Sequence, residues 1–463
     1  MLMSIDLRSI LIGVMLLGTA LSAQEPPSPQ AESKARLSDQ AIGLQVDAVP
    51  TRPAPILELG DPFLGRGPIS EGFAGPGGSR WNPTFQLFGT FRTAAQIFDA
   101  GDQTFSEVAT RLDLFGNLSL TQTERFLFGF RPLDDEGERF VGWNFAPEDE
   151  HGFVEAFDGR VSTLFFEGDL GEIFPDLDPG ERGLFDFGFS VGRQPLRLQN
   201  GLFIEDASVD GFGLVRNTLK PGGFSNLRLT GFVGWNNLHR ANRRRDDGAT
   251  LVGLFSEADI GDSTVAVDLA WIAAPADTGD ALYFAAASTQ RLGGLSSTFR
   301  AAASVPLERD TPATRQGYLA VAELSWAAGG EEDLWYANAY WGIDDFSSAL
   351  RAPDAGGPLA RIGILYAAQG LGRYGSALDS EPQRSVGLGF GRQFFWDDLR
   401  QQLVLEAGGR IDTDGSDRGA AALGFRYQRA IGQHLIFQTD AFAALREERA
   451  PGFGFRVELL VKF

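Results

Sequence analysis

The sequence predicts an all-β fold: a transmembrane, antiparallel up-and-down β-barrel of 18 strands, with 16 as the alternative count. Three observations predict it. From residue 84 to the last residue, short segments alternate apolar and polar side chains with a period of two, the pattern of a strand with one apolar face. The connections between segments alternate short and long, as periplasmic turns and extracellular loops do in a membrane barrel. Seven of the tryptophans, Trp81, Trp235, Trp271, Trp326, Trp335, Trp341 and Trp396, fall on the apolar parity and near the ends of these segments. Two outward aromatic belts are what the membrane interfaces select, because indole is apolar but its N–H prefers water.

Composition sets the bounds. The 463 residues are 43% hydrophobic, with 58 Gly, 38 Phe, 3 His and no Cys. A barrel strand shows lipid only alternate residues, so such a chain carries no bulk hydrophobic signal. The lack of cysteine excludes disulfide frameworks, thiol catalysis and cysteine metal sites together. A formal net charge of -21 excludes nucleic acid as a partner, since phosphate contact needs a basic surface.

Residues 1–23 are expected to be a secretory signal, with "ILIGVMLLGTAL" (10–21) as its apolar core and "LSA" before Gln24 for cleavage. The core is shorter than the about 20 residues a spanning helix needs. Residues 24–79 are rich in Pro and Gly and read as a periplasmic N-terminal segment, mostly without regular structure. Residues 80–463 are expected to be the barrel. Its strand candidates are 84–98, 108–121, 125–131, 161–174, 185–198, 208–217, 227–235, 250–260 and 265–273. They continue as 282–292, 297–305, 318–327, 334–343, 385–396, 401–411, 421–430, 435–445 and the terminal "GFGFRVELLVKF" (452–463). Most approach the about 9–11 residues a tilted strand needs to cross a bilayer.

An export signal, an alternating final strand and the terminal Phe463 together resemble the outer-membrane porins of Gram-negative bacteria. The resemblance implies a cell outer membrane location and partners in outer-membrane lipid and lipopolysaccharide. It also implies recognition of Phe463 by barrel-assembly machinery. A narrower likeness lies in "GLFDFGFSVGRQPLRLQNGLFIEDASVDGFGL" (183–214). There "GRQ" closes one strand and "DG" opens the next, which is similar to the alginate-export-like group of porins. That group implies export of anionic polysaccharide through an arginine-rich lumen, whereas the lumen here reads as mixed.

A passive channel works through lumen charge and constriction size. Inward parity selects Arg92, Arg111, Asp113, Arg131, Arg228, Asp268, Arg300, Glu406, Arg410, Arg426, Asp440, Arg456 and Glu458 as pore-lining. Arg92, Arg426 and Arg456 lie near mid-depth on the first, sixteenth and last strands, which barrel closure brings together as a basic wall. The opposing reading pairs each arginine with a neighbouring carboxylate. Arg193 and Arg197 join the lumen only if a bulge near Gly192 or Pro195 turns them inward, and Asp210 of the "DG" pair goes with them. No cofactor or metal is expected, since "DTDGSD" (412–417) misses the spacing of a calcium loop. Of His151, His239 and His434, only His239 near the rim suits catalysis, and no Ser or Asp is tied to it by sequence. The expected function is therefore a water-filled channel for small or anionic and carbohydrate solutes, not an enzyme. The alternative is a barrel enzyme or adhesin with a closed lumen, and the oligomeric state stays open. Deleting Phe463 is expected to impair insertion, read as loss of the heat-modifiable folded band from membranes.

Overall fold

The computed structural model describes residues 54–62, 70–75, 78–99, 101–135, 139–177, 183–329 and 332–463. The expected signal at 1–23 and the first part of the Pro/Gly-rich segment lie outside these. Among the described residues 18 strands form one closed wall. They are β1 (Thr84–Asp99), β2 (Thr104–Ser119), β3 (Arg125–Phe130), β4 (Val161–Asp169), β5 (Gly188–Leu198), β6 (Ile204–Leu219), β7 (Asn226–Asn236), β8 (Thr250–Ile260) and β9 (Ser263–Ala273). The second half is β10 (Ala281–Leu292), β11 (Leu295–Pro306), β12 (Gly317–Ala327), β13 (Leu334–Asp344), β14 (Ser385–Trp396), β15 (Gln401–Asp412), β16 (Ala420–Ile431), β17 (Leu435–Arg446) and β18 (Gly452–Lys462). Each pairs antiparallel with its sequence neighbours, and β18 closes on β1 with Phe453 opposite Asp99 and Lys462 opposite Thr90.

The period-two alternation sorts the side chains. In β9, Val267, Leu269 and Trp271 are exposed on the outer face, while Asp268, Ala270 and Ile272 are buried inside. In β18, Phe453, Phe455 and Leu459 face out, and Arg456 and Glu458 face in. Below the end of β18, Phe463 exchanges both backbone hydrogen bonds with Gly89. The short strand Leu57–Leu59 then takes over the same edge of β1, pairing with Phe85–Leu87. Trp81, expected at the short-turn end of the first strand, sits in a two-residue pairing with Phe73 just before β1.

Two expected strands differ. The segment 161–174 stops being a strand at Asp169, whose carboxylate accepts from Gly171 N at 2.8 Å and caps a one-turn helix at Leu170–Ile173. The third strand is interrupted. Residues 125–130 cover the lower part of β2, and Val141–Ala146 resume the wall against Ser106–Thr110 higher up. Gly152–Val154 pairs back onto this upper piece.

Two segments leave the surface and fill the lumen. The β5–β6 hairpin bends inward at a register shift between Gln194 and Leu196, where Pro195 has no N–H to give the ladder. Its tip reaches the far wall: Gln199 Nε2 donates to Asp268 on β9 at 2.6 Å, and Asn200 to Glu323 on β12. The connection 345–384 between β13 and β14 also folds inward. It adds parallel pairs Leu350–Ile204 and Arg351–Glu205 to the hairpin. Phe346, Leu350, Leu359, Ile362, Leu365, Tyr366 and Leu378 bury themselves against Leu251, Ile272, Tyr283, Leu319 and Tyr340 of the wall. Each such fully buried side chain contributes about 1.5–3 kcal/mol. The fold thus explains apolar residues on the inward parity of β8 to β13, which an empty water-filled barrel would not contain.

Glycine makes the descent possible. A Cβ on Gly342 would stand 1.6 Å from the Pro382 carbonyl oxygen, and one on Gly317 would stand 2.1 Å from Phe346 N. Both backbones must touch for the inward segment to enter. Gly342→Ala is expected to leave the barrel folded while releasing this segment. Trypsin should then cut the variant at Arg351, which is buried in the parent; equal resistance of the two proteins would show that the contact yields.

Candidate pore constriction

Where hairpin, inward loop and wall meet, they enclose a water-accessible space of about 640 Å³. Arg92, Arg111 and Arg131 line it from the wall, Arg197 and Glu205 from the hairpin, and Asp354, Arg361 and Gln369 from the loop. A second space of about 260 Å³, nearer the loops, shares Asp354, Gln369 and Gly370 with it.

Three arginines converge on one carboxylate. Arg361 Nε lies 2.9 Å from Glu205, Arg197 Nε 3.3 Å, and Arg351 Nη1 3.9 Å. Arg197 and Arg361 are the more exposed, at 58% and 39% of their side chains. Burial pulls Arg351 down to about 10 although Glu205 raises it, so it remains a cation at neutral pH. Arg197 and Arg361 line the cavity and Arg351 is buried beside Glu205, so three positive charges against one negative leave a local surplus of positive charge at this part of its wall.

The opposite wall is balanced. Arg111 meets Asp113 and Asp354 at 3.0 Å each, and Arg131 meets Asp113 at 2.8 Å. Burial raises Asp354, but the Arg111 and Arg131 guanidiniums outweigh it and hold the carboxyl below its usual range. Arg92 and Arg456 both bind Glu458, Arg92 at 2.6 Å, which adds one more unpaired cation.

Many residues selected by inward parity act as staples for the inserted segments. Arg92 Nη2 donates to the Gln369 carbonyl and Arg111 Nη1 to that of Gly370, each at 3.1 Å. Arg456 is fully buried and donates to the Gln369 side chain at 2.9 Å. Glu406 accepts from Ile364 N and Tyr336 OH, both at 2.6 Å. Arg410 holds the carbonyls of Asp379 and Glu381 at 2.8 and 2.9 Å. Asp268 and Arg300 grip Gln199 of the hairpin tip, and Arg300 also meets Glu323 at 2.9 Å. Arg426 is paired with Asp440 at 2.5 Å, which stands opposite Arg456 in the ladder. Arg228 is exposed on the inner parity of β7, opposite Glu257.

The bulge divides the remaining three residues. Arg197 follows it and reaches the cavity. Arg193 precedes it, keeps the parity of the exposed Val191, and pairs at 2.8 Å with Asp210, which shares the parity of the exposed Phe212. Arg193 and Asp210, expected to line the pore, therefore lie on the outer parity, because the register shift comes one residue too late to turn them.

Parity reading missed Glu205, Arg351, Asp354, Arg361 and Gln369, all on the hairpin tip or inward loop. A signal was present: "LARIGILYAAQGLGRYG" (359–375) is too apolar for a loop in water. It also missed Asp206, whose carboxylate accepts from His239 N at 2.9 Å and lies 3.0 Å from His239 Nδ1.

No protein-family model and no curated relative matches this sequence. Solved structures do match. A BenF-like porin from Pseudomonas fluorescens Pf-5 is similar over 82% of this chain and 98% of its own, with a TM-score of 0.57 at 11% identity. OccK2 (OpdF) of Pseudomonas aeruginosa is similar over 82% and 97%, with a TM-score of 0.56 at 10% identity. For OccK1 (OpdK) of the same organism the values are 82%, 98%, 0.55 and 11%. The chain has the β-barrel fold of these porins.

Proposed function

We propose that the protein is a diffusion channel of a Gram-negative outer membrane that passes small anionic solutes. The observation that carries this is the cluster of Arg197, Arg361 and the buried Arg351 on the single Glu205, with Arg197, Arg361 and Glu205 lining the 640 Å³ cavity. Fixed charge at the narrowest part of a pore decides which ions dwell there. An anion entering this space exchanges its water for guanidinium donors already oriented by their own hydrogen bonds, so little reorganisation is needed. The inserted hairpin and loop leave room for a small molecule, which favours a monomeric solute over a polysaccharide.

The rest of the chain fits this reading. Residues 1–23 serve as the export signal and 24–79 as the periplasmic segment before the barrel. The outer face of Phe, Leu and Trp meets lipid and lipopolysaccharide. Phe463, seated at the end of β18, supplies the signal for barrel-assembly machinery.

In planar bilayers the protein is expected to give discrete open steps and a reversal potential showing anion preference under a salt gradient. Arg361→Glu turns one cation of the cluster into an anion and is expected to move the reversal potential toward cations, by tens of millivolts, about the scale of an order-of-magnitude change in selectivity. A folded, heat-modifiable barrel with no open steps would favour the closed-lumen alternative. An unmoved reversal potential would remove the Glu205 cluster as the selecting element.

A further inference from the structure

On β14 to β17 the inner wall turns neutral toward its short-turn end. Gln393 on β14, Gln402 on β15, Gln428 on β16 and Gln438 on β17 share the inner parity, since Trp396, Leu405, Leu423 and Leu445 on the other parity of the same strands are exposed. Gln428 stands directly opposite Gln402 on one side and Gln438 on the other. The carboxamides bond head to tail. Gln393 Nε2 donates to Gln402 Oε1 at 2.6 Å, Gln402 donates to Gln428, and Gln428 donates to Gln438. Gln438 Nε2 ends the run on Asp440 Oδ2 at 2.6 Å, and Asp440 is itself held by Arg426.

This belt has bonding capacity left over. A carboxamide carries two N–H donors and an oxygen that accepts two bonds, and each of Gln402, Gln428 and Gln438 uses one of each. All four side chains are half-buried. Among the described residues none of them bonds to the hairpin or the inward loop, which attaches to β15 farther from the short turns, at Glu406 and Arg410. One layer closer to those turns, Ala430, Ile436 and Leu460 stand side by side on the inner parity. The wall therefore sets a row of uncharged donors and acceptors beside an apolar strip.

That chemistry restricts the ligand. An anion gains no charge from four amides, and a cation meets only Asp440, which Arg426 already neutralises. A hydroxyl donates and accepts at one atom, so it matches the free N–H of one glutamine and the free carbonyl lone pair of the next. Amides on neighbouring strands recur about every 4.8 Å. A solute with several hydroxyls meets several of them at once, while its C–H face covers Ile436 and Leu460.

We propose that this glutamine belt is a subsite for neutral polyhydroxylated solutes, monosaccharides and polyols of their size. The inference rests on the channel reading above and adds a neutral class of cargo to the anions of that reading.

Binding is read by saturation-transfer NMR on the full chain in lauryldimethylamine oxide, a detergent without a sugar head, and this readout needs no open pore. Glucose is the probe. Tetraethylene glycol dimethyl ether, which has oxygens but no hydroxyl, is the control. Transfer to glucose is expected from the parent protein, with little to the control. The paired change Gln428→Leu and Gln438→Leu is expected to lower glucose affinity about tenfold, the loss of two neutral hydrogen bonds. In planar bilayers the same variant is expected to lose the glucose block of the current and keep its reversal potential, because no charge is altered. Gln402→Asn, which withdraws one amide by a single carbon, is expected to weaken transfer as well and serves where the leucine variant does not fold. Absent transfer from the parent, equal transfer to the control, or equal affinity in the variants overturns the subsite; a belt that only ties strands together gives this last result. Transfer that is lost in Arg361→Glu but kept in the glutamine variants also overturns it and moves the sugar to the Glu205 cluster. Transfer to glucose without open steps in bilayers supports the subsite and overturns the channel reading instead.

Discussion

The lumen of an 18-stranded wall is too wide for side chains alone to fill, and this protein depends on how that space is occupied. The inward loop 345–384 is held at many points by side chains of the wall. Glu406 and Arg410 hold its two limbs at β15, Asn338 grips the Ile362 carbonyl at 2.7 Å, and Arg92 and Arg111 grip its far turn. Each anchor is a charged or polar group aimed at a backbone atom that would otherwise be buried unpaired. The apolar side chains of the loop then cover the apolar inner parity of β8 to β13. Removing an anchor leaves a buried backbone N–H or C=O without its partner, which costs about 1–3 kcal/mol. The pore is shaped by this packing, and its charge is displayed by the parts that the packing positions.

Most of the wall was legible in the sequence because alternation reports directly which face of a strand points outward. The segment 250–260 and the segment 385–396 agree with the strands to the residue, and most others differ by one to four at an end. The constriction was not legible by the same rule. Parity assumes a straight strand, and the residues around Glu205 sit beyond the Pro195 bulge or on the loop that leaves the ladder. Arg197 and Arg193 differ by four positions and share a parity, yet one faces the cavity and the other the outer surface. The interruption between Phe130 and Val141 was hidden for a related reason, since both halves alternate correctly and only the pairing shows the detour. What the sequence did carry was a contradiction, an apolar stretch at 359–375 in a place reserved for polar loops. A buried loop needs a surface to cover it, and the apolar inner parity of the facing strands was that surface.

The opposing view of the arginines, that each is neutralised by a neighbour, is right for part of the wall and fails at Glu205 and Glu458. Arg426 with Asp440, and Arg111 and Arg131 with Asp113 and Asp354, are balanced sets, and balanced sets fix geometry with little field. Imbalance appears where arginines outnumber carboxylates, three on Glu205 and two on Glu458. The net charge of -21 does not cancel this. Exposed acids such as Asp414 and Asp417 lie in the turn between β15 and β16, and at physiological salt a field falls off over about 8 Å. Inside a lined cavity the screening is weaker and the nearest charges dominate. An acidic protein can therefore carry a cationic patch inside its barrel, provided that arginines outnumber the carboxylates they meet there, as they do on Glu205 at the inserted segments and on Glu458 at the wall.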